Sequence, residues 1–120
     1  MPGDNATAGV VLSGPDLQQH DGTLLAFLTS RVAGLSVDEG GFPCPRMDLR
    51  GRKSLVGPSD PGIYVDGTRA ANTCVLEMMT TRAVKRVEVY PMGVTSRPGY
   101  RNHPNGLILI FLDDGGGRDL

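Results

Sequence analysis

The side chains of this chain that can do chemistry are few, and their spacing matters more than their number. There are two cysteines, Cys44 and Cys74, and two histidines, His20 and His103. A cysteine pair in a small domain can be a disulfide, two free thiols or half of a metal site. No CxxC is present and the histidines stand alone, so a structural zinc would need ligands from distant loops to converge; no metal is expected. A Cys44–Cys74 bond would close a loop of about 30 residues, a constraint on the unfolded chain on the order of 3 kcal/mol. It requires an oxidising compartment; the alternative is a pair of buried thiols acting as small hydrophobes. Ser13, Ser30, Ser36, Ser54, Ser59 and Ser96 all fall in loops or on helix faces, none in a GxSxG context. His103 lies in Asn-His-Pro-Asn, a turn by composition, without the positioned partner that a general base needs. Gly115-Gly116-Gly117 has no following helix and cannot cradle a phosphate. Asp66 precedes Gly67 and reads as a turn residue whose carboxylate bonds backbone two residues on. This pattern speaks against an enzyme and requires no cofactor.

Three further charges, Arg50, Arg86 and Glu88, sit within or at the ends of expected strands, among apolar neighbours. They form either solvated sheet faces or a set of charges presented to a partner. In the second case a pair excluded from water fixes orientation more than it adds affinity.

The elements that must position these residues are short. Val10-Val11-Leu12, stopped by Ser-Gly-Pro, reads as an edge strand. Leu24, Leu25, Leu28 and Val32 recur at helical spacing, Asp21 or Thr23 can cap the start, and Gly34 supplies a left-handed stop, so a helix is expected over Thr23–Ala33. Leu35-Ser36-Val37 begins an extended segment. Strands are expected at Met47–Arg50, Ile63–Asp66, Val84–Tyr90 and Leu107–Phe111, with a second helix over Thr73–Thr81. In Val84–Tyr90, Val87 and Val89 point one way and Arg86, Glu88 and Tyr90 the other. The aliphatic run LILIFL reads as a central strand covered on both faces. The expected core is Leu24, Leu28, Val32, Leu49, Ile63, Val65, Leu76, Met79, Val87, Val89, Ile108 and Ile110. The order predicts an α+β fold, a small mixed β-sheet with two short helices packed on it.

A length of 120 residues suits one domain, spanning 10–112 between a disordered end at 1–9 and a flexible tail at 113–120. With 17 glycines, 9 prolines, 5% aromatics and no Trp, the chain suits short elements joined by turns and not a helical bundle. A net charge of −1, a pI near 6.0 and no long like-charge tract disfavour nucleic acid. The longest apolar run falls far short of the ~20 residues that cross a bilayer as a helix. The opening MPGDNATAG has no basic segment followed by an apolar one, so the expectation is that a secretory signal was removed or that the chain is cytoplasmic.

Five segments in order carry a resemblance. They are LLAFLTSRVAGLSV (24–37), MDLRG (47–51), IYVDG (63–67), LEMMTTRAVKRVEV (76–89) and GLILI (106–110). Together they cover about 90 residues and resemble the plug domain of TonB-dependent outer-membrane receptors. That resemblance implies a non-enzymatic, plug-like fold that gates or occludes an outer-membrane β-barrel in nutrient import, located in the periplasm or outer membrane. It implies a barrel and TonB as partners, and a barrel-facing role for Arg50, Arg86 and Glu88, partly exposed and without strong internal partners. In a periplasmic setting Cys44 and Cys74 are expected to be joined. The chain departs from the family pattern in its longer, proline-bearing loop PMGVTSRPGYR. It also lacks a convincing TonB box, Val10–Ser13 being a faint candidate. The alternative is a stand-alone periplasmic module that binds a protein or peptide, for instance by adding a strand to a sheet edge.

Overall fold

The computed structural model describes residues 9–38, 43–49, 60–95, 99–103 and 105–112. The expected disordered end (apart from Gly9), the flexible tail and Arg50 lie outside the described residues. Along the chain run strand β1 (Val10–Ser13), helix α1 (Pro15–Gln19), helix α2 (Leu24–Arg31) and strands β2 (Ser36–Asp38) and β3 (Arg46–Asp48). After them come β4 (Gly62–Val65), β5 (Thr68–Arg69), helix α3 (Cys74–Met78), a 3-10 turn (Thr81–Ala83), β6 (Arg86–Tyr90) and β7 (Leu107–Phe111).

Five strands form one sheet in the order β1-β6-β7-β4-β5, and β2 pairs with β3 in a separate two-stranded ribbon. Within the larger sheet only β4 and β7 run parallel; the remaining pairs are antiparallel. The sheet is therefore mixed and the fold α+β, as the sequence indicates. β7 lies in the middle, and Leu107 through Ile110 are all buried, so an uninterrupted aliphatic run fits a strand covered on both faces. The Met47 strand differs from expectation, because it joins the ribbon and not the main sheet.

One sheet face carries Leu12, Val87, Val89, Ile108, Ile110 and Ile63, which pack with Leu24, Leu25, Phe27, Leu28 and Leu76 from the helices. Ten of the twelve expected core residues are buried, while Val65 and Met79 pack against the core half-buried.

Local signals set the ends of the elements. Thr23 caps α2, its hydroxyl accepting from the Ala26 N–H at 3.1 Å, and the chain turns away through Gly34 at φ 86°. Helix α3 ends at Met78, well before Thr81, because the neighbouring segment competes for its backbone. The Met79 carbonyl accepts from Leu24 N–H at 2.8 Å, and Thr80 bridges to Thr23. Helix α1 was not legible as a helix: Ser-Gly-Pro reads as a stop, yet Pro15 occupies the first helical turn, where its missing N–H costs nothing, and Leu17 is fully buried. Val10–Ser13, the faint TonB-box candidate, is an edge strand in register with Val89 to Arg86.

Candidate functional site

β6 reads Arg86-Val87-Glu88-Val89-Tyr90, and the period of two puts both valines in the core and the other three on the opposite face. Glu88 stands in a row between Val11 of β1 and Leu109 of β7. It is 1% exposed. Its carboxylate Oε2 accepts from both Nε and Nη2 of Arg86, each at 2.7 Å, and Oε1 accepts from the Tyr90 hydroxyl at 2.8 Å. The Arg86 side chain is 45% exposed. This corrects the expectation that these charges lack strong internal partners. Glu88 is buried, because its strand is flanked by β1 and β7, and burial of a carboxylate is sustained only by charge-assisted bonds of this kind. Of the three residues assigned to a partner surface, Arg86 is the described one that reaches solvent, and Glu88 holds its guanidinium in place.

The structure joins Cys44 and Cys74 in a disulfide across a Cα–Cα distance of 4.9 Å. The neighbouring Thr73 hydroxyl donates a short bond to the Pro45 carbonyl, and the Met47 N–H donates to Asp60 Oδ1 at 2.7 Å. These ties hold the β2–β3 ribbon to the body of the domain.

Asp66 takes the turn position expected of it, at φ 50°, but its carboxylate reaches further than two residues. Oδ1 accepts from Leu112 N–H at 3.0 Å, clamping the β4–β5 turn to the end of β7.

His103 has a role that sequence reasoning missed. Its backbone N–H donates to the Gly93 carbonyl at 3.0 Å and its carbonyl accepts from Gly106 N–H at 3.1 Å. Its Nδ1 accepts from Asn105 N–H at 3.1 Å. Burial, and secondarily the Arg69 charge, hold its pKa below the ordinary histidine value of 6.5. Beside it, Tyr64 and Tyr100 meet edge-on at 4.9 Å and the Arg69 guanidinium lies 5.8 Å from the Tyr64 ring centre. The Asn-His-Pro-Asn composition signalled a turn; only the fold shows that its imidazole is an acceptor.

A cleft of about 160 Å³ bordered by Asp60, Ile63, Ala70, Asn72 and Thr73 is smaller than the few hundred Å³ of ordinary small-molecule pockets. Among the described residues no group of three or more His, Cys, Asp or Glu is placed to hold a metal. No described helix is long and apolar enough to cross a membrane. The arrangement is one of packed strands, clamps and an anchored surface arginine.

Comparison with known proteins agrees with that reading of the fold. The family model described as TonB-dependent Receptor Plug Domain matches residues 3–106. The RagAB peptide importer in its closed-closed state is similar in structure, with TM-score 0.62 and 21% identity over 88% of this chain and 12% of that one. Its open-open state gives TM-score 0.60 and 19% identity over 89% of this chain and 12% of that one. At these identities the likeness concerns the fold, and this chain spans about an eighth of the length of those chains. No curated protein matches.

Proposed function

Because the chain belongs to the TonB-dependent receptor plug domain family, we propose that it occludes an outer-membrane β-barrel and gates the import of a nutrient through it. The family match across residues 3–106, nearly the whole sequence, carries this reading. The fold is consistent with it: a compact sheet held by internal clamps can fill a pore, and a change in its packing can open one. The partners under this proposal are a barrel wall and TonB, at the periplasmic side of the outer membrane. The work is mechanical, and no step of it calls for catalysis. Arg86 is the described charge offered to a barrel carboxylate, for which its planar fork is suited; Arg50 is proposed for the same surface.

Site-specific photo-crosslinking tests the docking. A photoreactive residue is placed at exposed Met92 or Met78 in cells carrying the native gene. The proposal expects a crosslink to β-barrel sequence in the outer-membrane fraction. Crosslinks confined to soluble periplasmic proteins would support the stand-alone binding module instead.

A further inference from the structure

We propose that His103, Asn105 and Gly106 form a proton-sensitive latch, which holds the end of the β6–β7 connection against the start of β4 while the imidazole is neutral and lets go when it is protonated. This rests on the geometry of the turn and goes beyond the plug reading, since it holds whether or not a barrel surrounds the chain.

Four contacts make the latch. The His103 N–H donates to the Gly93 carbonyl at 3.0 Å, which closes the connection on itself. The Gly62 N–H donates to the Gly106 carbonyl at 2.9 Å, joining the turn to the first residue of β4. Asn105 Nδ2 donates to the Asp60 carbonyl at 3.3 Å. The imidazole itself lies over Gly62, so close that a Cβ there would meet its Cδ2 at 3.0 Å.

The proton sensitivity follows from the fifth contact. The Asn105 backbone N–H points at His103 Nδ1 at 3.1 Å. A backbone N–H can only donate, so Nδ1 must be the unprotonated nitrogen, and the latched state requires a neutral ring. Protonation turns this acceptor into a donor facing a donor. Among the charged groups around the ring the arginines add to the effect, and the Asp60 carboxylate opposes it without reversing the downward shift. Arg69 on β5 repels an imidazolium, and Arg101, two residues away and exposed, has the same sign. Asp60 precedes β4, and its Oδ1 is occupied by the Met47 N–H. The folded pKa lies below 6.5, with burial as the larger cause and Arg69 as the lesser. The open turn therefore binds a proton more readily than the closed one. The latch is intact at neutral pH and weakens as pH falls below the ordinary histidine range. In the window between the two pKa values the opening constant rises by up to about tenfold per pH unit.

The test uses amide exchange in the 120-residue chain, read by NMR as protection factors from pH 7.5 to 4.5, with two variants. Asn at position 103 offers a carbonyl oxygen to the N–H two residues on, in an Asx-turn, and does not titrate. Wild type should lose protection at Asn105, Gly106 and Gly62 as pH falls, while amides within β6 and β7 keep theirs. H103N should stay protected at every pH, and H103A should be unprotected throughout. Wild-type protection that is flat with pH would overturn the proposal. So would the same pH dependence in H103N, which would assign the effect to carboxylates such as Asp60. If H103A fails to fold, the wild-type and H103N series still decide.

Discussion

Replacing Arg86 by Ala should destabilise this domain far more than its 45% side-chain exposure suggests, because the loss falls on its partner. Glu88 is 1% exposed and takes two bonds from that guanidinium, both at 2.7 Å. Removing one member of a buried pair typically costs about 3–5 kcal/mol through the charge left behind. Here the cation is half in water already and the Tyr90 hydroxyl still donates at 2.8 Å, which lowers the expectation to about 2–3 kcal/mol. Glu88→Gln should cost only about 1 kcal/mol, since a neutral amide strands no charge and Arg86 can turn to solvent. The double variant R86A/E88Q should then be close to E88Q alone, with a coupling of about 2–3 kcal/mol. The chain has no Trp, so urea unfolding is best followed by far-UV circular dichroism. An Arg86→Ala variant within about 0.5 kcal/mol of wild type, the range of an ordinary surface change, would refute the anchoring role given to this pair. So would additivity in the double variant.

Other substitutions read other parts of the fold. Thiol titration of the unreduced protein should find none free, and reduction or the C44S/C74S pair should lower stability by about 3 kcal/mol in urea, for a bond spanning 30 residues. Thr23→Ala removes the bond to Ala26 N–H and should cost about 1 kcal/mol, visible as a lower thermal midpoint. Gly93→Ala meets both a φ of 77° and the His103 carbonyl, where a Cβ would overlap; a loss of more than about 1 kcal/mol is expected in urea, and a neutral result would show that this connection closes differently.

Most of the core was legible because burial leaves a period in the sequence. Leu24 and Leu28 mark a helix face, and Val87 and Val89 one face of a strand, whatever their final partners. The unbroken LILIFL run announced a strand buried on both sides, and β7 is the central one. Long-range pairing leaves no such trace. Nothing local tells that Met47 pairs with Val37 in a separate ribbon, or that Met79 ends α3 by giving its carbonyl to Leu24. The same limit explains Glu88. Alternation placed it correctly opposite the valines, and its burial came from the flanking strands β1 and β7, which a single strand's pattern cannot report. His103 was legible as a turn residue and illegible as an acceptor, since that role depends on where one N–H points.

The most direct test of the central claim is electrical. The full-length protein encoded by the gene that contains this chain is reconstituted in planar bilayers, intact and with the segment from Gly9 to Leu112 deleted. If this domain plugs a barrel, the intact protein should be nearly silent and urea should open it reversibly, while the deletion should conduct steadily as a wide pore. Equal conductance with and without the segment, or no pore in either form, would contradict the account.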